Sequence, residues 1–404
     1  NRGGVTDQQG DGGAAITAGM LEMAEAAVTM HMDKGLDHTI IGESTKSFID
    51  GQNGVLEYLG IDIDDLARNS TFEEVVFLLW NDRLPSADEL ESLKSELRAE
   101  YELGSELLGM LRLVPADASP MHMLRTMVSA MGTMDADCDD QSLESERRKA
   151  IKVLAKTPAI IAAFSRLRKG EEPVAPRADL DIATNFLWML NDEMPGAASA
   201  RAIDVSLVLH ADHGINASTF AAMVTIATQS DMYSALTSAI GTLRGPLHGG
   251  ANERVMRMLQ EIGDIDSVDA FVQESLASKR KIMGFGHRVY KALDPRAKYL
   301  RTFAKQIADE TGNHELYEMS TRIQDIMERE VGSKGIYPNV DFYSATTYYS
   351  LGLEIDLFTP VFALSRNAGW AAHVLEQHQD NRLIRPRCQY TGPHGVAYTP
   401  MSDR

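Results

Sequence analysis

An all-α fold is predicted by three observations along this chain. Segments with apolar residues at three- and four-residue spacing recur through its first half, Pro and Gly fall between them, and strand-like patterning is confined to one short stretch near the start. No internal repeat is present and no heptad register lasts several turns, which argues against a solenoid or a coiled coil.

In chain order, residues 1–34 read as an N-terminal extension, in which Ala14 to Met32 can form a helix with a weak apolar face rich in Met and Ala. Two β-prone runs around Asp50-Gly51 and Asn53-Gly54 predict a hairpin over Lys46 to Tyr58. Helices are then expected over Thr71 to Trp80, Ala87 to Glu102, Met121 to Met131, Ser142 to Lys169, Asp179 to Leu190 and Ala200 to Leu209. Pro85, Pro120, Pro173, Pro176, Pro195 and Gly196 separate them, where a missing N–H or a permissive φ harms no helix. Another helix is expected from Phe342 to Gly352, and a last one near Trp370 carries His373 and His378 as packing or interface residues.

Composition narrows the class without naming it. The 404 residues are 44% hydrophobic and 24% charged, with no uninterrupted apolar stretch long enough to span a bilayer, so a globular chain of two or three domains is expected, with no membrane partner. The two cysteines, Cys138 and Cys388, have neither metal-ligand spacing nor the density of a disulfide framework. Residues 1 to 13 are polar and Gly-rich and lack the basic-then-apolar pattern of an export signal, so a cytoplasmic setting is expected. The net charge of -19 repels nucleic acid and anionic membranes. Acidic runs such as Asp135 to Asp140 fit either an ordinary acidic enzyme or a protein adapted to high salt.

Three later segments place one proton-handling side chain each among glycines or aromatics: Gly245 to Asn252 with His248, Gly284 to Tyr290 with His287, and Pro338 to Ser344 with Asp341. Glycine lets backbone and ligand approach, and apolar neighbours remove the water that sets an ordinary pKa. Asp341 suits a general base raised by burial among Val340, Phe342 and Tyr343, or the N-cap of the helix that follows. His248, next to Gly249-Gly250, is placed near a helix N-terminus, where the dipole disfavours imidazolium. Gly284-Phe285-Gly286 begins a dinucleotide fingerprint, but Val289 stands where its third glycine belongs. His210 and His213 are three apart, yet no Cys or Glu cluster offers further ligands, so no metal site is expected and a metal hydrolase is disfavoured.

Together these segments resemble the citrate synthase family, and the likeness runs from about Gly35, through Phe48 to Gly51 and Gly60 to Leu66, to the end. The resemblance implies a large helical domain from residues 35–249 and 353–404, with a smaller helical domain, 250–352, inserted between. It implies condensation of acetyl-CoA with oxaloacetate and hydrolysis of citryl-CoA, with no cofactor and acetyl-CoA as a substrate. Asp341 is then the base, His248 the enol stabiliser and His287 the group that polarises the ketone. Oxaloacetate falls to His213, His287, Arg296, Arg366 and Arg385, since planar guanidinium groups match carboxylates. His210 becomes structural. Arg385 comes from a neighbouring subunit, implying a homodimer with shared sites, although Arg382 and Arg387 stand in the same cluster. CoA is expected on Gly284, Phe285, Gly286 and Lys291, with Arg288 and Lys281 available to assist. Where many relatives carry Glu after the second His of this loop, this chain has Gly214. A 2-methylcitrate synthase using propionyl-CoA shares every one of these residues, and a non-catalytic helical dimer is the alternative of another class.

Overall fold

The computed structural model describes residues 32–36, 38–287 and 289–404, in two units, Asn1–Glu43 and Ser44–Arg404. The helix expected over Ala14 to Met32 lies outside the described residues. In the first unit, Asp33 closes a turn by accepting the His38 N–H at 2.8 Å and the Thr39 hydroxyl at 2.6 Å.

The second unit opens with a three-stranded antiparallel sheet, β1 (Ser47–Asp50), β2 (Val55–Tyr58) and β3 (Ile61–Asp62). Its first two strands are the expected hairpin, paired from Ser47 with Tyr58 to Asp50 with Val55. The third strand went unforeseen because two residues carry no alternation to read. Asp50 shapes the turn, its carboxylate accepting the Gln52 and Asn53 N–H groups.

Sixteen α-helices follow among the described residues. The first eight are α1 (Ile63–Asn69), α2 (Phe72–Asn81), α3 (Ala87–Ala99), α4 (Gly104–Leu113), α5 (Pro120–Met134), α6 (Leu143–Leu167), α7 (Ile182–Asn191) and α8 (Ala197–His210). Their starts follow local chemistry. Ser86 and Glu89 form a reciprocal capping box on α3, and Thr71, Ser142 and Asp181 cap α2, α6 and α7. Pro120 proves to be the first residue of α5 rather than a separator, a position where its missing N–H has no helical partner to lose. Helix α6 runs through Pro158, beside which the Thr157 hydroxyl donates to the Val153 carbonyl at 2.6 Å.

Then come α9 (Ala217–Ile226), α10 (Met232–Leu243), α11 (Ala251–Ile262), α12 (Val268–Ala277), α13 (Ala297–Thr311), α14 (Glu315–Val331), α15 (Val340–Ser350) and α16 (Phe358–Gln379). Helix α16 is the axis of the unit. Small residues let neighbours approach it on every side, it is buried from Phe358 almost continuously to Leu375, and α2, α6, α8, α9 and α10 pack around it. Helices α11 to α15 pack largely on one another, through α11 with α15, α12 with α14 and α13 with α15, and meet the rest through α13 on α8 and α11 on α16. No helix among the described residues is long and apolar enough to cross a membrane.

Candidate active site

Asp341 does not cap its helix. The cap of α15 is Asn339, whose side chain accepts the Asp341 N–H at 3.0 Å, leaving the Asp341 carboxylate with no hydrogen-bond partner among the described residues. Burial without a partner penalises the charged form and pushes the carboxyl up to about 6, against the pull of Arg296. Asn339 also ties this helix to the loop carrying His287. Its backbone N–H donates to the Gly284 carbonyl, its amide donates to the Gly286 carbonyl, and the Gly286 N–H donates to the Tyr337 carbonyl, each at 2.9 Å. Phe285 completes the seam by bridging to Pro338 and stacking edge-on with Phe342 at 4.8 Å.

The far side of the His287 loop rests on the β1–β2 turn. The Lys291 N–H donates to the Gly51 carbonyl at 2.8 Å, and a Cβ at Gly51 would overlap the Val289 carbonyl, so only glycine lets the two backbones meet. Held this way, the ring of His287 accepts the Val289 and Tyr290 N–H groups on Nδ1, at 3.0 and 3.1 Å. Nδ1 is therefore the lone-pair nitrogen and Nε2 carries the proton. Burial, aided by the Arg296 charge, lowers His287 to about 4, so the ring is a neutral donor at pH 7.

His248 has the opposite tautomer. Its Nε2 accepts the Ser218 N–H at 3.3 Å and lies 2.8 Å from the Ser218 hydroxyl, so the proton sits on Nδ1. Ser218 is in the first turn of α9, capped by Asn216, and His248 precedes α11 by three residues, so the ring lies at two helix N-termini. Burial, with Arg366 adding to it, lowers His248 to about 4.

Both arginines behind these groups are buried, but they are held differently. Arg296 makes a two-point pair with the buried Asp294, Nε and Nη2 each 2.9 Å from a carboxylate oxygen, and Asp294 also accepts the Val340 N–H at 3.1 Å. Burial opposes the charge on Arg296, and Asp294 more than restores it. Arg366 is 2% exposed and has no carboxylate within pairing distance among the described residues. Its Nε donates to the His210 carbonyl at 2.8 Å, its guanidinium lies over Phe362, and neither Nη makes a hydrogen bond among the described residues. Desolvation lowers it to about 10, still a cation at pH 7. Its charge acts on His213, His248 and Asp341, and that of Arg296 acts on His213, His287 and Asp341, so the predicted groups form one electrostatic cluster.

His213 stands edge-on to His287 with ring centres 5.6 Å apart, and its Nε2 is 3.1 Å from the Tyr290 hydroxyl. Burial and both arginines hold it well below the usual imidazole range. His210 is fully buried, with Nδ1 donating to the Ser206 carbonyl at 2.7 Å.

Set beside known proteins, the chain matches the citrate synthase, C-terminal domain family over residues 35–387. It is 50% identical to citrate synthase 2 of Bacillus subtilis, covering 93% of this chain and 100% of that one, and 49% identical to the citrate synthase of Haloferax volcanii, covering 92% and 99%. The chain belongs to the citrate synthase family. Among solved members, the citrate synthase of Thermoplasma acidophilum in ternary complex with carboxymethyl coenzyme A and oxaloacetate superposes with a TM-score of 0.87 at 33% identity, over 93% of this chain and 100% of that one.

Lys291 is exposed beside His287, on which its charge acts, whereas Arg385 is exposed in the extended segment after α16 and Arg288 lies outside the described residues. The sequence reading passed over three supports: Ser218, which fixes the His248 tautomer, Tyr290 beside His213, and Asp294, which joins Arg296 to the start of α15. Asp294 sat within the motif that singled out Arg296, and its spacing of two was the available signal.

The opposite tautomers predict a crossed pattern of rescue. An Asn amide nitrogen falls near the Nδ1 position of histidine and a Gln amide nitrogen near Nε2. His248→Asn is thus expected to retain about tenfold more kcat than His248→Gln, and His287→Gln about tenfold more than His287→Asn, a fraction of the effect of losing one donor outright. Steady-state kinetics of the four variants checks this, and the same ordering at both sites would refute the assignment.

Proposed function

We propose that this citrate synthase family member condenses acetyl-CoA with oxaloacetate to citryl-CoA and hydrolyses that thioester to citrate and CoA, with no metal or redox cofactor. The observation that carries the reading is Arg366, a buried guanidinium with no carboxylate of its own, beside two neutral imidazoles and a carboxyl raised to about 6. A buried cation left unpaired is costly, and a dicarboxylate substrate supplies the missing partner.

The chemistry follows from the tautomers. Asp341 takes a proton from the thioester methyl group while the His248 Nδ1–H donates to the developing enolate oxygen. The enol carbon attacks the ketone carbon of oxaloacetate, forming the new C–C bond. The ketone oxygen, polarised by the His287 Nε2–H, gains a proton as the alcohol forms. Water then cleaves the thioester and releases the CoA thiol. His213, Arg296 and Arg366 hold the oxaloacetate carboxylates, and Gly284, Phe285, Gly286 and Lys291 meet CoA.

Residues 250–352 act as the smaller domain of this scheme, so that His287, Arg296 and Asp341 move together against His213 and Arg366, and closure excludes water before enolisation. The Asn339 seam and the Asp294 bridge, which hold those three groups as one assembly, support this reading. A homodimer completes the site with Arg385 of the neighbouring subunit. Support comes from the exposed segment after α16, where Leu383, Tyr390, Val396 and Tyr398 are apolar or aromatic and uncovered in the protomer. We place the enzyme in the cytoplasm, and in a high-salt one, since oxaloacetate and CoA are anions approaching a chain of net charge -19.

The test mixes purified protein with oxaloacetate and either acetyl-CoA or propionyl-CoA, in low and in molar KCl, and follows CoA thiol release. Faster turnover with acetyl-CoA, and a rate and melting temperature that rise with salt, are expected. A propionyl-CoA preference would move the activity to 2-methylcitrate synthesis, no thiol release with either would leave a binding scaffold, and indifference to salt would remove the high-salt setting.

A further inference from the structure

A buried charged network lies behind the oxaloacetate loop and plays no part in the mechanism above. Asp212, adjacent to His213, is fully buried, and both its oxygens lie 3.2 Å from Nε2 of His373, itself 1% exposed. The other ring nitrogen, Nδ1, lies 3.5 Å from the Glu376 carboxylate. The Ser44 hydroxyl also lies 3.5 Å from Nδ1, and a carboxylate facing each nitrogen favours the doubly protonated ring of His373. Burial alone would lower it, and the two carboxylates instead raise it to about 9. Asp212 is likewise held below the usual carboxylate range despite burial, by His373, Ser47 and Arg366.

The network grips the loop on both sides of His213. The Ser47 hydroxyl donates to Asp212 Oδ2 at 2.6 Å and accepts the Gly214 N–H at 2.9 Å, bridging the residue before His213 to the residue after it. Tyr58 accepts the Asp212 N–H at 3.2 Å and lies 3.0 Å from the Asp212 carbonyl. From the third side, the Gly369 N–H donates to the Ala211 carbonyl at 3.0 Å, and a Cβ on Gly369 would overlap that oxygen. Arg366, Gly369 and His373 recur at three- and four-residue spacing, so one face of α16 presents the substrate arginine and the loop's supports together. A buried ion pair is a poor way to gain stability, since two apolar residues of equal volume do as well or better. What it does supply is direction.

We propose that Ser47, Asp212 and His373 form a positioning relay that orients His213 for oxaloacetate, without touching substrate. This rests on the assignment of oxaloacetate to the site. The relay acts on one substrate only, because acetyl-CoA is met by residues of other segments.

The test compares wild type, Ser47→Ala and His373→Gln in steady-state kinetics, with the melting-temperature rise produced by oxaloacetate alone as a second readout. Ser47→Ala is expected to raise the oxaloacetate KM about fivefold, and His373→Gln about twentyfold, in line with one lost hydrogen bond and one buried carboxylate left without its partner. The acetyl-CoA KM should stay within about twofold, and kcat at saturating oxaloacetate within about threefold, since a lost positioning contact acts mainly on binding. An unchanged oxaloacetate KM in folded Ser47→Ala protein, or parallel changes in both KM values, would overturn the relay. Should His373→Gln fail to fold, the Ser47→Ala result decides. Wild type without turnover would refute the proposed activity instead, and the oxaloacetate-induced melting shift would then still separate relay from no relay. Absence of any such shift in wild type would overturn both.

Discussion

Asp341→Asn is expected to lower kcat by about a thousandfold or more, the scale of a positioned general base, while oxaloacetate affinity stays within about threefold. The amide fills the same space at the second position of α15 and leaves the Asn339 cap intact, so the loss would report proton transfer and not collapse of the site. The pH dependence has a definite sign. Asp341 works ionised, and with its carboxyl raised to about 6, turnover in wild type should climb as pH rises through that value and then level off. Stability runs the other way. The folded state holds this proton more tightly than the unfolded chain, so from about pH 4 the contribution is lost as pH rises through 6, a change of roughly 2 to 3 kcal/mol. Asp341→Asn should therefore melt higher than wild type at pH 8 and close to it at pH 4. Thermal unfolding at the two pH values, beside single-turnover kinetics, checks both limbs. Turnover within about tenfold of wild type would remove Asp341 from the role of base.

Arg366→Gln should weaken oxaloacetate binding by about a hundredfold or more, as expected when one partner of a desolvated charge pair is removed. Its effect on the free protein should be opposite in sign. The guanidinium is buried with no carboxylate within pairing distance among the described residues, and desolvation has already lowered its pKa to about 10, so a neutral side chain removes a desolvation cost. The variant is expected to melt at or above wild type without ligand, and to lose most of the rise that oxaloacetate produces. Arg366→Lys should not rescue affinity, because an ammonium cannot reproduce two parallel hydrogen bonds to one carboxylate. Calorimetric titration with oxaloacetate, paired with melting curves, separates these outcomes. A drop in stability of the free variant would mean that the guanidinium serves the fold.

Much of this arrangement was legible in the residues, and the remainder has identifiable causes. Six of the first eight helices were readable because apolar spacing and capping residues are local, and their ends fell within a few residues of those observed, whereas the short α1 and α4 went unforeseen. Pro120 was misread as a separator because a proline before a helix and one opening it look alike without the partner of the preceding turn. The three segments holding His248, His287 and Asp341 stood out through their glycines and aromatics. Their opposite imidazole tautomers could not be read, because each is set by an N–H donor whose position depends on the fold: Ser218 lies thirty residues from His248. The choice between cap and base for Asp341 was open until Asn339 took the cap. His373 was expected to be a packing or interface residue, and nothing in its helix pattern reveals that Asp212, 161 residues away, sits against it.

The contact between Gly51 and Val289 has a bearing on how the protein reaches its working state. A turn formed near the start of the unit and a loop made some two hundred residues later must find each other before His287 can be set, and the bridge from Ser47 to Gly214 imposes a similar search on His213. Local helices gain their structure long before such distant pairs close, since bringing remote segments together costs chain entropy that only the final contacts repay. Catalytic competence is thus tied to the last closures of the polypeptide, and a chain that has regained all its helices can still be an inactive one.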